Sequence, residues 1–341
     1  MRRAVLVEPE KIVIEEVERP KPGEGEVLIR VEVCGICGSD IHMFHGTHPF
    51  VKPPIVQGHE FSGVVEEIGP GVSRIEVGKR VTVEPSLICG RCYNCLRGRY
   101  NICNELRVLG AQADGAFAEY IAVPERTVYE IPEDMSFEEG ALVEPLSVAV
   151  HAVERSSLEV GNNVVILGAG PIGLLITQVA RVGGADRIVV TDLYERRLEL
   201  AREFGADITI NAKREDPVEV IHEELGRDGV DIVFEAVGVE ATINQAIEMV
   251  RKGAEIVVVG VYGKSPQVKM GLIQDREIVV KGVLMYAWNY PTAIRLIEEG
   301  RVDVMRLITH RYPLTELEEA YRLLDREKEK TLKVMIYPQL T

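Results

Sequence analysis

The feature that most constrains this chain is a glycine-rich turn set between a buried strand and a helix. Residues 163–167, with the sequence NVVIL, are typical of a buried parallel strand, and they lead straight into G-x-G-x-x-G at residues 168–173. The bare motif is weak on its own. Here a helix follows it and an acidic residue, Asp192, lies about twenty residues further on, which is the context that makes the motif specific for a dinucleotide. The chain is therefore expected to contain a doubly wound α/β domain.

Each part of this turn has a predicted task. The first glycine makes the tight turn, the second lets the backbone approach a pyrophosphate, and the third allows the helix to pack on the strand. The N-terminus of the helix then faces the phosphates. The predicted cofactor-binding residues of the turn are Gly168, Gly170, Pro171, Ile172 and Gly173.

The next predicted strand ends at Asp192, and this residue favours NAD over NADP. Its carboxylate would accept hydrogen bonds from both ribose hydroxyls and would repel a 2′-phosphate. Arg197 weakens that preference, because an arginine at this place can serve either cofactor. Val237, Val259 and Gly260 follow later strands, at the carboxyl ends where such sheets hold ligands, and they complete the predicted cofactor set.

A second motif is a group of four cysteines with the spacing C-x2-C-x2-C-x7-C, at Cys89, Cys92, Cys95 and Cys103. Four thiolates can surround one Zn²⁺ tetrahedrally and hold together a lobe, residues 86–106, that has almost no apolar residues of its own. The rival is an iron–sulfur cluster, but the usual ferredoxin pattern closes after three residues rather than seven. The motif therefore predicts a structural zinc site.

Three more metal-type ligands lie on glycine-punctuated turns near the N-terminus, at Cys37, His59 and Glu60. A thiolate, an imidazole and a carboxylate suit a borderline-soft cation such as zinc. Three protein ligands leave a fourth position for water or substrate, which distinguishes a catalytic zinc from a structural one. Glu144 is a further candidate ligand, because a carboxylate inside so apolar a run needs a partner. A salt bridge within the fold is the alternative.

Length and charge set the remaining limits. At 341 residues the chain is too long for one ordinary core, so two domains are expected. We predict a β-rich domain over residues 1–150, the dinucleotide-binding domain over 151–290, and a return segment, 291–341, that completes the first domain. The net charge of −15 argues against a nucleic-acid partner, which needs a basic face. Neither a signal peptide nor an apolar run of about 18 residues is present, so the chain is expected to be cytoplasmic and to have no membrane partner.

Together these motifs resemble the zinc-containing medium-chain dehydrogenase/reductase superfamily over essentially the whole chain. The matching segments are residues 35–40 (GICGSD), residues 58–60 (GHE), the four-cysteine lobe and residues 168–173 (GAGPIG). The resemblance implies a GroES-like catalytic domain joined to a Rossmann domain. It also implies one catalytic and one structural zinc per chain, NAD as cofactor, and a small alcohol as substrate.

Within that superfamily, residues 141–152 are similar to the polyol branch of sorbitol and butanediol dehydrogenases. In that branch the matching cysteine, histidine and following glutamate hold the zinc. The later glutamate, here Glu144, lies near the metal or is joined to it through water. Segments 40–42, 48–50 and 309–313 are similar to sugar-acid (hexonate) and polyol dehydrogenases, so we expect oxidation of a secondary alcohol in a polyol or a sugar acid.

Two other functions stay open. L-Threonine 3-dehydrogenases share the overall plan and the length, but they are expected to carry threonine where Ser39 stands and aspartate where Glu144 stands. Zinc-free quinone reductases share the fold but lack the ligand set found here.

The proton path is also a hypothesis at this stage. Ser39 would accept the proton of the substrate and pass it through the cofactor ribose to His42, which lies near solvent and titrates in the useful range.

The expected assembly is a homotetramer built from dimers. The last predicted strand of the dinucleotide domain, residues 277–285, would leave an apolar edge open, so we expect it to pair with its twin across a two-fold axis. The polyol relatives are commonly tetramers.

Overall fold

The computed structural model describes residues 1–48 and 50–340, and the chain forms two compact units. The first unit comprises Met1–Glu144, Tyr290–Glu299 and the chain from Val304 onward, and the second comprises Pro145–Asn289 with Gly300–Asp303. The change from one unit to the other falls inside a continuous helix, so no break in secondary structure marks the boundary predicted at residue 150.

The strands, in chain order, are β1 (Arg2–Glu8), β2 (Lys11–Glu16), β3 (Glu26–Gly35), β4 (Ile55–Val56), β5 (Glu60–Ile68), β6 (Arg80–Val83), β7 (Ser86–Leu87), β8 (Arg107–Val108), β9 (Tyr120–Pro124), β10 (Val128–Glu130), β11 (Val164–Leu167), β12 (Ile188–Asp192), β13 (Ile208–Asn211), β14 (Ile232–Glu235), β15 (Glu255–Val258), β16 (Val279–Gly282), β17 (Ile308–Pro313) and β18 (Lys333–Tyr337).

The helices are α1 (Gly38–Phe44), α2 (Phe137–Arg155), α3 (Pro171–Val182), α4 (Glu195–Glu203), α5 (Pro217–Leu225), α6 (Glu240–Met249), α7 (Met270–Asp275), α8 (Tyr290–Glu298) and α9 (Leu317–Arg326). Short 3₁₀ turns occupy Cys95–Arg97, Tyr100–Ile102, Glu125–Thr127, Met305–Leu307 and Leu314–Glu316. Among the described residues, none of these helices combines the length and the apolar character that crossing a membrane requires.

The first unit is organised around strand β3. A seven-stranded sheet runs in the order β10-β6-β5-β3-β18-β17, and β9 also pairs with β3. Successive residues of β3, Val27, Leu28 and Ile29, are all fully buried, because both faces of the strand are covered. Smaller sheets, β2-β1-β4 and β7-β8, complete the β-rich unit.

Three strands of this sheet meet where β3 ends. β3 runs antiparallel to β5, with Gly35 opposite Glu60, and antiparallel to β18, with Gly35 opposite Met335. Helix α1 begins shortly after β3, at Gly38. The register therefore brings the turn after β3, the start of β5 and the start of β18 together.

The last part of the chain rejoins the first unit. β18 pairs in parallel with β17 and antiparallel with β3. Helix α9 packs on the same core, where the ring of Tyr321 stacks on Phe44 with centroids 4.6 Å apart.

The second unit is a parallel six-stranded sheet in the order β13-β12-β11-β14-β15-β16. All four residues of β11 are fully buried, as expected for a strand in a parallel sheet covered on both faces. The strand order reverses between β11 and β14, and such a reversal is where doubly wound folds bind their ligands. The predicted α/β fold, with a β-rich part and a doubly wound sheet, is confirmed.

One histidine joins distant elements of the first unit. His45, at the end of α1, has its Nδ1 3.0 Å from Oε1 of Glu10 and its Nε2 3.1 Å from Oδ1 of Asp325. Partial burial alone would lower the pKa of His45, but the hydrogen bonds and charges of Glu10 and Asp325 raise that pKa overall. The protonated ring can donate to both carboxylates at once.

We predict that His45→Gln destabilises the protein more at about pH 6 than at about pH 9. A histidine with a raised folded pKa contributes fully below its unfolded pKa of about 6.5, and the contribution disappears as the pH rises through the folded value. Thermal unfolding of both proteins at the two pH values measures the effect, and Asp325→Asn should follow the same trend. Equal losses at both pH values would contradict the prediction.

Candidate functional site

The structure brings Cys37, His59 and Glu60 into one cluster. Their ligand atoms all lie within 4.8 Å of one another, and His59 and Glu60 are buried. Cys37 immediately precedes α1, while Glu60 opens β5 and His59 precedes it. A thiolate, an imidazole and a carboxylate at this separation fit a zinc ion that keeps a coordination position open.

Asp40, to which the sequence analysis gave no role, lies against this cluster. Its Oδ2 accepts a hydrogen bond from the N–H of Cys37 at 2.9 Å, which fixes the first turn of α1. Its Oδ1 faces Nδ1 of His59 at 3.7 Å, and both atoms are buried without a hydrogen-bond partner among the described residues. An Nδ1 turned towards a carboxylate leaves Nε2 for a metal, an arrangement typical of zinc-bound histidines.

The negative charge around His59 changes its protonation. Burial alone would lower the pKa of His59, but Asp40 and then Cys37 outweigh that effect and raise the pKa well above its usual value. In the absence of a metal this raised pKa favours the protonated imidazole. A metal that binds to this ring has to displace its proton.

Glu60 has a second partner, Lys333, which the sequence analysis did not anticipate. Nζ of Lys333 donates to both carboxylate oxygens of Glu60, at 2.7 and 2.6 Å, and to the backbone oxygen of Ile36 at 3.1 Å. The side chains of Lys333 and Glu60 are only 4% and 1% exposed. This buried ion pair neutralises the negative charge of Glu60 within the cluster.

Glu144 lies on helix α2 and is 5% exposed. Among the described residues, the group of close ligand atoms contains Cys37, His59 and Glu60 but not Glu144. Its charge still acts on the cluster, because it contributes to the raised pKa values of both His59 and Lys333. The geometry favours Glu60 as the nearer carboxylate and leaves Glu144 as a charged neighbour.

Helix α1 also carries the two residues predicted to move protons. Ser39 is half-buried and His42 is exposed, one turn further along the helix. Nδ1 of His42 lies 3.4 Å from Oγ1 of Thr47. Of the segment 48–50 that resembles sugar-acid dehydrogenases, Pro49 lies outside the described residues.

The four cysteines of the lobe also converge. The ligand atoms of Cys89, Cys92, Cys95 and Cys103 lie within 4.8 Å of one another, and none of the four forms a disulfide. Sγ of Cys103 accepts hydrogen bonds from the backbone N–H groups of Cys89 at 3.4 Å and Glu105 at 3.3 Å. Such N–H donors stabilise thiolates, the form that binds zinc.

Protonation within the lobe also favours a metal. Backbone N–H groups of Asn104 and Cys95 lower the pKa of Cys92 to about 6, so this thiol is ionised at neutral pH. Burial and the hydrogen bonds of Cys92 and Cys103 raise the pKa of Cys95 to about 12. Metal-free thiols of this lobe therefore share protons that a zinc ion would replace.

The glycine-rich turn has the geometry expected for a dinucleotide site. Gly168 has a φ of +100°, which side-chain-bearing residues rarely adopt, and a Cβ on Gly173 would lie 1.8 Å from the oxygen of Gly168. Gly170 precedes helix α3, whose first residue is Pro171, and no side chain caps the helix. Its first N–H groups are therefore available to an anion, and this cradle fits a pyrophosphate.

Asp192 ends β12 and holds this turn in place. Its Oδ2 accepts a hydrogen bond from the N–H of Ala169 at 2.8 Å, and its Oδ1 accepts one from the N–H of Tyr194 at 2.9 Å. The guanidinium of Arg197 lies 5.1 Å from the centre of the Tyr194 ring, and Nζ of Lys213 lies 4.2 Å from it. An acid and two cations are thus neighbours at this strand end.

The other predicted cofactor residues lie at the same edge of the sheet. Ile172 is in the first turn of α3, Val237 follows β14, and Val259 and Gly260 follow β15. Val237 packs on the glycine turn, since a Cβ on Gly168 would lie 2.6 Å from its Cγ2.

Comparison with known proteins finds two dehydrogenase domains in this chain. Residues 23–133 match the alcohol dehydrogenase GroES-like domain, and residues 171–299 match the zinc-binding dehydrogenase domain. Sorbitol dehydrogenase of Bacillus subtilis is 38% identical over 99% of this chain and 97% of its own. L-Threonine 3-dehydrogenase of Pyrococcus abyssi is also 38% identical, over 91% of this chain and 90% of its own.

Solved structures are equally similar. The structure of 2R,3R-butanediol dehydrogenase from Bacillus subtilis superposes with a TM-score of 0.91 at 35% identity and covers 99% of both chains. A candidate zinc-binding dehydrogenase from Sinorhizobium meliloti, bound to NADP, gives a TM-score of 0.92 at 35% identity and also covers 99% of both chains. These matches confirm the resemblance inferred from the sequence.

We predict that Cys103→Ala lowers the zinc content from about two ions per chain to about one and destabilises the lobe. Cys34→Ala is the matched control, because Cys34 is a fully buried cysteine whose pKa is raised by burial, and its thiol is not part of either cluster. Metal analysis and thermal unfolding measure both effects. An unchanged zinc content in Cys103→Ala would exclude this lobe as a zinc site.

We predict that Lys333→Met costs about 3–5 kcal/mol in the zinc-free protein and clearly less in the zinc-loaded protein. Without Lys333 the buried Glu60 carboxylate loses its counter-charge, and a bound zinc would restore positive charge beside it. Urea unfolding with and without zinc gives the two penalties.

The control for this prediction is Lys281→Met. Lys281 pairs with Glu255 at 2.5 Å and is 30% exposed, far from the cluster in the chain. Lys281→Met should lower the free energy of unfolding by less than Lys333→Met does, and this effect should not depend on zinc. If Lys333→Met lowered the free energy of unfolding equally with and without zinc, the metal would not offset the charge of Glu60.

Proposed function

The chain belongs to the zinc-containing alcohol dehydrogenase family with a GroES-like domain, and we propose that it oxidises a secondary alcohol of a polyol or a sugar acid with NAD. The observation that carries this proposal is the cluster of Cys37, His59 and Glu60 in a chain that also has a glycine cradle for a dinucleotide.

We assign Cys37, His59 and Glu60 as the ligands of the catalytic zinc, with Glu144 as a charged neighbour that can replace Glu60 or act through water. A zinc ion held there would supply a Lewis acid to the alcohol oxygen, and NAD would supply the hydride acceptor. Asp40 orients His59, and Lys333 offsets the charge of Glu60. Oγ of Ser39 would accept the hydroxyl proton while donating its own proton onward, and His42, exposed on the same helix, would release a proton to solvent.

The substrate class is supported by residues and relatives together. Glu144 lies in the segment that is similar to the polyol branch, and Ser39 stands where L-threonine dehydrogenases are expected to have threonine. A sorbitol dehydrogenase and a butanediol dehydrogenase are among the similar proteins. The alternative is oxidation of the amino alcohol L-threonine, because a threonine dehydrogenase is equally identical over the aligned part. Reduction of NAD by zinc-loaded protein with sorbitol, 2,3-butanediol, L-idonate and L-threonine separates the two proposals, since turnover of L-threonine alone would favour the alternative.

NAD is the proposed dinucleotide because Asp192 ends β12, where its carboxylate would meet the ribose hydroxyls. A similar structure binds NADP, and here Arg197 and Lys213 are close to the same strand end. We therefore propose a preference for NAD rather than an absolute requirement.

We predict that Cys37→Ala abolishes turnover but leaves NADH binding intact, because the change removes a zinc ligand in the first unit and leaves the glycine cradle of the second unit untouched. Zinc content should fall by about one ion per chain. Steady-state kinetics, nucleotide fluorescence and metal analysis give the three values. Full activity in zinc-depleted Cys37→Ala would refute the proposed mechanism.

We also propose that β16 pairs with its copy in a dimer, and that two dimers form a tetramer. β16, which spans Val279–Gly282, is the last strand of its sheet, and Val279 and Val280 are 46% and 44% exposed. Exposed apolar edge strands favour pairing with another strand.

We predict that Val280→Glu lowers the oligomeric state, because a two-fold axis would place two carboxylates close together. Sedimentation at micromolar concentration measures the mass. Val160→Glu is the control, since Val160 is 88% exposed and lies outside β16. A wild-type monomer, or an unchanged assembly in Val280→Glu, would contradict this interface.

A further inference from the structure

Glu235, the last residue of β14, is a fully buried carboxylate that the proposed mechanism does not use. Its Oε1 accepts hydrogen bonds from the N–H groups of Val237 at 2.9 Å and Gly238 at 2.8 Å, and lies 2.7 Å from the hydroxyl of Thr242. Its Oε2 accepts the hydroxyl of Tyr262 at 2.8 Å. A buried carboxylate is stable only when its lone pairs are satisfied, and here several donors satisfy them.

Thr242 lies in helix α6, and the other three donors come from two separate loops. Val237 and Gly238 follow β14, whereas Tyr262 lies in the loop that follows β15. The backbone oxygen of Glu235 also accepts the N–H groups of Val259 and Gly260, both at 2.9 Å. One residue therefore fastens both loops through its side chain and its backbone.

The two loops also touch each other directly. A Cβ on Gly238 would lie 2.4 Å from the oxygen of Val261, and a Cβ on Gly260 would lie 2.3 Å from the nitrogen of Gly238. Gly238 has a φ of +79°. Glycines at these positions let the two backbones approach closely. The side chain of Glu235 is also near, since its Oε2 lies 2.9 Å from the position that a Cβ on Gly260 would occupy.

The strand order indicates which part of a dinucleotide these loops would meet. A doubly wound sheet binds one mononucleotide on each side of the reversal in strand order. Asp192, on β12, serves the ribose of the adenosine half. β14 and β15 lie on the other side of β11, so the loops that follow them belong to the nicotinamide half.

We propose that Glu235 is a positioning residue that holds the loops after β14 and β15 together so that they complete the nicotinamide half of the dinucleotide site. This inference rests on the proposed function, because it assumes that the dinucleotide carries a nicotinamide. Among the described residues, no cation pairs with Glu235; neutral N–H and O–H groups satisfy it. Its role is therefore to fix backbone geometry through hydrogen bonds.

The test compares two ligands on the zinc-loaded enzyme: NADH, measured by its fluorescence, and ADP-ribose, which lacks the nicotinamide, measured by calorimetry. Glu235→Leu should raise the Kd for NADH by about tenfold or more and change the Kd for ADP-ribose by less than about threefold. Glu235→Gln should retain most of the NADH affinity, because its amide oxygen can still accept the N–H groups of Val237 and Gly238.

Glu255→Leu is the matched control. Glu255 is a buried carboxylate at the opposite end of the neighbouring strand β15, where it accepts the N–H of Ser157 and pairs with Lys281. Its loss should affect the two ligands equally. Tyr262→Phe removes one hydrogen-bond donor to Glu235 and keeps the aromatic ring. It should raise the Kd for NADH by about threefold and leave the Kd for ADP-ribose unchanged.

Three results would each overturn the proposal. Glu235→Leu could lose affinity for NADH and ADP-ribose equally, or lose none for either. Glu235→Gln could bind NADH as weakly as Glu235→Leu does. If Glu235→Leu does not fold, an unchanged NADH affinity in Tyr262→Phe has the same consequence. NADH binding by the wild-type enzyme is measured first, because its absence would contradict the proposed function rather than the role of Glu235.

Discussion

The candidate metal site depends on the register of one strand. Gly35 of β3 stands opposite Glu60 of β5 and Met335 of β18. Polar side chains from three distant parts of the chain therefore lie together in one buried cluster. The result is a buried group of ionisable side chains, Cys37, Glu60 and Asp40, whose negative forms a low-dielectric interior does not tolerate without cations. Lys333 provides one cation, the raised pKa of His59 favours a second on its imidazole when no metal is bound, and a zinc ion would take over the second role.

Local patterns predicted much of this molecule. The glycine turn, the alternation of strands and helices and the spacing of the cysteines each act within a short stretch of chain, so the doubly wound sheet and the four-cysteine cluster could be foreseen. Lys333 could not, because it contacts Glu60 across 273 residues, and only the pairing of β18 with β3 creates that contact. Asp40 had a weak local signal, since it stands three residues after Cys37, where an acid can accept the N–H that begins a helix.

The two units bury carboxylates in different ways. In the first unit Glu60 is neutralised by the charge of Lys333 and lies beside metal ligands. In the second unit Glu235 is surrounded by neutral donors and joins two loops. The first arrangement responds to any cation that enters, whereas the second maintains a backbone geometry. Neither glutamate stands out by composition, because the chain has 54 acidic residues and most of them are typical of a solvated surface.

The position of β18 has a consequence for biosynthesis. The second unit is almost contiguous in the chain, from Pro145 to Asn289, so it can acquire its fold while the ribosome is still at work. The first unit cannot complete its fold so early, because Lys333 and the strand that it opens are synthesised 273 residues after Glu60. Cys37, His59 and Glu60 therefore leave the ribosome well before the lysine that offsets the charge of Glu60, and their buried environment is complete only once β18 has been made.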